Sequence, residues 1–324
     1  MIISHNNESI AYTGRWHVGE DEAICTAAGS YFDVGFEGET VCFHFSVCDP
    51  AKDVAHLYLS VDGGALIESA VVPFVRVCAA PGRHTVRVTL KSVSEFYDRW
   101  HAPEARVALV GAEAQGFFAL PEDTRPIIEF VGDSITEGVM VDALPHPIYD
   151  HFCKDRVFED DSTVTYARLT ADALNMRPYI MGYGAVGVCK GGCGNMPRAA
   201  EAYPFCYEGA PMPAYEPSII VLGHGTNDGG APAEEFHARY VEMLELLAKT
   251  HPEAKLVALS PFFGKMDEKV ERAVKAYNET HGKPVTCILS TGWISPTPIH
   301  PGRDGHKAVA RELSRRLLDL LSST

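Results

Sequence analysis

Residues 127–138 read IIEFVGDSITEG, an apolar run that breaks into a glycine-bounded turn around one serine. Two readings compete for that turn. Ser134 and Glu137 have the S-x-x-E spacing of a capping box, in which the serine only caps a helix. Alternatively, Ser134 is a nucleophile held on a tight turn at the carboxyl end of a strand. A cap should precede an amphipathic helix, yet Gly138 comes at once, followed by VMVDALPHPIYDH (139–151) with Pro145 and Pro147. At best a single turn is capped. The nucleophile reading makes the fold α/β and demands that a base and oxyanion donors reach the same sheet edge.

The downstream pattern meets that demand. After IIEFV (127–131) come the candidate strands YIM (179–181), SIIVL (218–222), KLVAL (255–259) and VTCILS (285–290), with helical patterns between them. PAEEFHARYVEMLELLAKT (232–250) sets Phe236, Tyr240, Leu244 and Leu247 on one stripe, and the last helix does so with Val309, Leu313, Leu317 and Leu320. Strand–helix alternation predicts a parallel sheet with helices on both faces and ligands at the carboxyl ends of its strands. GDSITEG follows the first strand, GYGAVG (182–187) the second and GHGTNDGG (223–230) the third. HPGRDGH (300–306) opens onto the last helix. All four segments therefore belong on one edge of the sheet. GYGAVG also has the G-x-G-x-x-G spacing of a dinucleotide fingerprint, but the stretch after it, VCKGGCGNMPRAAEAYP (188–204), does not open a long helix.

Upstream the period changes to two. ETVCFHFSV (39–47), HLYLSVDGG (56–64) and HTVRVTL (84–90) alternate apolar and polar residues between Asp-Gly, Gly-Gly and Pro-Gly turns. Many short alternating strands predict an antiparallel β-sandwich over residues 1–120. GFFALPEDTRP (116–126) reads as the junction, and residues 121–324 form the α/β domain.

Composition narrows the function classes. A net charge of −15 excludes nucleic acid and anionic membrane as partners, since both need a basic face. No apolar run approaches the ~18 residues needed to span a bilayer. The start MIISHNNESIAYTGRW lacks a basic segment followed by an apolar one, so a cytoplasmic location is expected. The nine cysteines are then reduced thiols. Cys189 and Cys193, with Cys206 nearby, are spaced too loosely for zinc, and no metal or cofactor is expected. Oligomeric state is not legible.

GDSITEG, a glycine in GYGAVG, GTND and a C-terminal His-Pro resemble, in this order and spacing, the four sequence blocks of the SGNH (GDSL-type) hydrolases. The resemblance implies a flavodoxin-like three-layer α/β/α domain with Ser134 as nucleophile and His300 as general base. It implies an oxyanion hole built from the Ser134 N–H, the Gly184 N–H and the Asn227 side-chain amide. The physical roles fit these residue types. A serine hydroxyl is a poor nucleophile until a base takes its proton, and histidine titrates near the working pH. Acyl transfer places negative charge on the former carbonyl oxygen, where fixed N–H donors must point.

The family pattern D-x-x-H-P departs here, because TPIHP (297–301) carries Thr297 at the aspartate position. Asp304 is one candidate for the third triad member. The other reading is a Ser–His dyad with the His300 tautomer set by a backbone carbonyl, at about a tenfold cost in rate. His306, at the start of the final helix, is the lesser candidate for the base. Trp293, His224 and Asp133 are candidate substrate-binding residues. Their plainer readings are a core tryptophan, a packed histidine behind the pocket and a carboxylate bracing the loop alongside Asp228. The loops 139–161 and 188–217 are expected to rim the pocket.

YTGRW (12–16), SYFDVGFEGETVCFHF (30–45), VDGG (61–64), PGRHTVRV (81–88) and KSVSEFYD (91–98) resemble the N-terminal jelly-roll of carbohydrate esterase family 2. That likeness implies a serine esterase removing O-acetyl groups from acetylated plant carbohydrates, such as xylo- or manno-oligosaccharides. An acyltransferase with the same acyl-enzyme chemistry and a non-catalytic carbohydrate-binding protein remain alternatives.

Overall fold

The computed structural model describes residues 1–143 and 156–322. In the N-terminal half, ten strands pair antiparallel throughout into one curled sheet. The alternating run read at 39–47 is the second half of a longer strand, Tyr31–Phe45. Its first half pairs with Ile10–Thr13 and Arg83–Val93, its second with Phe74–Cys78, and Val107–Phe118 lies alongside it. The register slips between Ala114 and Gly116, which bends the pair and lets one strand serve two layers. Phe32, Val34, Phe36, Val41 and Phe43 point inward against Val86, Val88 and Leu90, all buried. Each such side chain contributes roughly 1.5–3 kcal/mol of burial.

The second half begins at Ile127. Five strands form its sheet: Ile127–Asp133 (β1), Arg177–Tyr183 (β2), Pro217–Leu222 (β3), Lys255–Leu259 (β4) and Thr286–Ile288 (β5). They are parallel, in the order β2-β1-β3-β4-β5. That order reverses direction between β1 and β3, and the crevice there is where such sheets take ligands. β1 is buried along its whole length, as a central strand covered on both faces must be. Ile128 and Phe130 face the helices Tyr166–Ala173 and Arg303–Ser322, while Val131 faces Ala233–Thr250 and Asp267–Thr280. The stripe Phe236, Tyr240, Leu244 and Leu247 is buried as its spacing requires. The architecture is thus an antiparallel sandwich followed by a three-layer α/β/α domain.

Two expectations are corrected. Gly116, Phe117 and Phe118 belong to the last sandwich strand rather than to the junction. The segment around Tyr203 does not rim a pocket, because it is glued beneath the sandwich. Arg15 donates to the carbonyls of Tyr203 and Phe205, and the Thr26 hydroxyl to that of Cys206. The Tyr203 and Tyr215 hydroxyls both donate to the Glu129 carboxylate on β1, 3.5 Å from which lies the Arg15 guanidinium. Residues 144–155 of the other expected rim, with Cys153, lie outside the described residues. No helix among the described residues is long and apolar enough to cross a membrane.

Candidate active site

At the carboxyl end of β1 the chain turns sharply into one helical turn, Ser134–Glu137. Both flanking glycines are sterically required. A Cβ on Gly132 would sit 2.0 Å from Thr136 Oγ1, and one on Gly138, where φ is 94°, would sit 2.5 Å from the Asp161 carbonyl oxygen. The cap of this turn is Asp133, whose Oδ1 accepts the Ile135 N–H at 3.0 Å. The capping box that the S-x-x-E spacing offered as the competing reading therefore does not form. The Ser134 hydroxyl instead lies 2.9 Å from His300 Nε2. Glu137 turns away to Arg99, whose NH1 reaches its Oε1 at 2.6 Å in a pair 0% and 2% exposed. Burial pushes the Glu137 carboxyl up, against the pull of the guanidinium.

His300 stands just before the last helix. Arg303, at the start of that helix, forks onto the Asp142 carboxylate at 2.5 and 2.6 Å and onto Asp161 at 3.1 Å. This ties the histidine segment to the chain that leaves the serine turn. Thr297 is exposed. Asp304 is not the third triad member that was considered: its side chain is 98% exposed and faces Lys307, 3.3 Å away. A carboxylate so solvated brings little field to bear on a half-buried imidazole. His306 is not the base either. It is buried, its Nδ1 accepts the Tyr166 N–H at 3.0 Å, and burial pushes its pKa down to about 3.

The third loop carries Asn227 in the turn Thr226–Asp228 after β3, at the same sheet edge as Ser134. One N–H of its amide is held by the Val186 carbonyl at 3.0 Å, which fixes the plane of the group. Among the described residues, its other N–H has no protein partner. Asp228 is buried and accepts the N–H groups of Cys189 and Val188 at 2.9 and 3.1 Å, locking this loop to the one after β2. Asp133 and Asp228 thus brace loops through backbone groups, as the plainer reading held.

The three candidate substrate contacts, Asp133, His224 and Trp293, are placed as follows. Asp133 is buried beside the Thr226 hydroxyl, and burial pushes its pKa up to about 6, so it has no surface to offer a substrate. His224 is fully buried with its pKa pushed down to about 4 by desolvation, and it too packs behind the pocket. Trp293 is half-buried, packed on the core that contains Phe130 and Leu313. Gly184 follows Tyr183, the last residue of β2, in the loop after that strand. A Cβ on Gly184 would lie 1.9 Å from Glu95 Oε2, so the sandwich reaches this loop as well. Among the described residues no group of His, Cys, Asp or Glu is arranged to hold a metal ion.

Sequence reasoning missed Arg99, Glu95 and Arg303. Arg303 stood in the quoted HPGRDGH, and its nearness to His300 was the one usable signal.

Residues 130–308 match the model of the GDSL-like Lipase/Acylhydrolase family. The chain is 25% identical over 264 residues, 74% of its own length and 68% of the other's, to an acetylxylan esterase/glucomannan deacetylase of Cellvibrio japonicus. Its fold is similar to that of a family two carbohydrate esterase from Cellvibrio japonicus, with a TM-score of 0.84, 19% identity and coverage of 99% and 98% of the two chains. It is similar also to a family two carbohydrate esterase from Clostridium thermocellum in complex with cellohexaose, with a TM-score of 0.80, 20% identity and coverage of 97% and 99%.

Proposed function

The chain belongs to the GDSL-like lipase/acylhydrolase family, and from that premise we propose that it is a serine esterase removing acetyl groups from acetylated carbohydrates. The observation that carries the reading is the 2.9 Å contact between Ser134 Oγ and His300 Nε2, made by loops 166 residues apart in the chain. The likeness to an acetylxylan esterase/glucomannan deacetylase supports xylo- or manno-oligosaccharides as the substrate class.

On this reading His300 Nε2 accepts the Ser134 proton as Oγ attacks the acetyl carbonyl carbon. The carbonyl oxygen gains negative charge and is met by the second Asn227 N–H, the Gly184 N–H and the Ser134 N–H at the start of its helical turn. The imidazolium returns its proton to the departing sugar oxygen, leaving an acetyl-serine. Water, deprotonated by the same nitrogen, then releases acetate. His306 is neutral beside His300, so it adds no second positive charge that would resist formation of the imidazolium. The proton relay is a Ser134–His300 dyad, with a backbone carbonyl setting the His300 tautomer in place of Thr297 or Asp304.

The test is acetate release from a panel of acetylated xylo- and manno-oligosaccharides, with Ser134→Ala as control. Release without any added acceptor alcohol, abolished in the variant, is the expected result. Turnover only when an acceptor is supplied would make the protein an acyltransferase. Binding of the oligosaccharides without turnover would make it a carbohydrate-binding protein.

A further inference from the structure

The loop between the sandwich strands Arg83–Val93 and Val107–Phe118 reaches the catalytic edge of the other domain. Its Glu95 lies against Gly184, its Asp98 carboxylate holds the Asn195 amide at 2.9 Å, and its Arg99 is wholly buried there. The Arg99 guanidinium touches several parts of the site at once. NH1 donates to Glu137 in the serine's own helical turn. NH2 donates to the Thr26 carbonyl of the sandwich at 2.6 Å. The guanidinium carbon lies 4.8 Å from the centre of the Tyr183 ring, the residue before Gly184. The Arg99 backbone N–H donates to Gly194 at 2.9 Å.

We infer that Arg99, supplied by the sandwich, is a positioning residue for catalysis that holds the Ser134 turn, through Glu137, in register with the Gly184 loop, through the Tyr183 ring. The inference rests on the reading of Ser134 as nucleophile. Its physical basis is the combination of partners. Arg99 takes the Glu137 carboxylate of the serine turn and packs over the Tyr183 ring at the start of the Gly184 loop, where the Glu137 backbone also lies against Gly182, so one buried guanidinium sets the spacing of both loops. A four-residue helix has too few internal bonds to hold its own direction. A planar fork packed over an aromatic ring supplies that direction, which a flexible ammonium does less well. Displacing a reacting group by about 1 Å can lower a rate by ~10²-fold.

A second buried pair provides the control. Arg15 and Glu129 are both 0% exposed and cross between the same two halves, but they lie further back along β1 and touch none of the catalytic loops. The experiment compares Arg99→Met, Arg99→Lys and Arg15→Met by kcat, KM and melting temperature, and by the rate at which a fluorophosphonate labels Ser134, located by mass spectrometry. The expected result is that Arg99→Met lowers kcat and the labelling rate by about 30-fold or more, with KM within about threefold. Arg99→Lys should recover part of the loss. Arg15→Met should lower the melting temperature but leave kcat per folded molecule within about twofold of the parent. Equal kcat and labelling rates in Arg99→Lys, Arg99→Met and Arg15→Met would overturn the inference. Should Arg99→Met fail to fold, Arg99→Lys carries the same comparison, and a labelling rate equal to the parent's overturns it. Failure of the parent itself to label at Ser134 would instead sink the nucleophile assignment.

Discussion

The Asp133 carboxylate accepts the Ile135 N–H at 3.0 Å and so performs the capping that its neighbour Ser134 would otherwise perform. The serine hydroxyl is released to face His300. That division of labour buries a carboxylate whose pKa rises to about 6. The folded protein therefore holds a proton on Asp133 at pH values where the unfolded chain has lost it. Stability from this group is complete below about pH 4 and is lost as pH rises through about 6. Asp133→Asn keeps the capping oxygen and never carries the charge. Its stability relative to the parent should rise by about 2–3 kcal/mol between pH 4 and pH 7, read from urea unfolding at each pH. A constant difference across that range would show that Asp133 titrates normally.

His306 has the opposite sign. Its folded pKa, about 3, lies below that of an unfolded histidine, so acidification protonates the unfolded chain first. Stability should fall from about pH 6.5 downwards, by roughly 1.4 kcal/mol per pH unit from this group. His306→Asn can still accept the Tyr166 N–H. It should be less stable than the parent at pH 7 but lose about 2–3 kcal/mol less between pH 6.5 and 4.5. Parallel stability curves would place the proton uptake elsewhere.

Asn227 has one N–H fixed on Val186, which makes the other a preorganised donor. Asn227→Ala should lower kcat about 10²–10³-fold with little change in KM, because the contact strengthens only as charge develops on the substrate oxygen. A rise in KM at constant kcat would assign Asn227 to ground-state binding.

Asp304 is solvated and paired with Lys307. Asp304→Asn should leave kcat within about twofold of the parent across pH 6–8. A loss of several orders of magnitude would restore it to the triad.

The features legible in the sequence were those written in local periodicity. Val41, Phe43 and Phe45 alternate because one face of their strand is buried, and Phe236, Tyr240, Leu244 and Leu247 recur because one face of their helix is. Strand–helix alternation then implied a parallel sheet, and the sheet brought Ser134, Asn227 and His300 to one edge. The helix Asp267–Thr280 has the same kind of stripe, in Val270, Ala273, Val274 and Tyr277, which went unread in the sequence. What stayed hidden depended on pairing across the fold. Arg99 and Glu137 sit in polar-looking stretches, and nothing local shows that a guanidinium is sealed from water. The path of the loop beyond Gly184 depends on Ala185, whose φ of 59° no residue type announces. Two readings stayed open for His224 and Asp133 for the same reason, since nearness to a motif does not say on which side of the loop a side chain falls.

The pairs Arg15–Glu129 and Arg99–Glu137 divide their charges in the same way, with both cations on the sandwich and both anions on β1 or the turn that leaves it. The sandwich is therefore not an interchangeable attachment in any recombination of this chain. A hydrolase half joined to a foreign sandwich would inherit two buried carboxylates without their counterions, at a cost of about 3–5 kcal/mol for each broken pair. Chimaeras, and lineages in which the two halves have been shuffled, should survive only where the incoming sandwich carries arginines at both places.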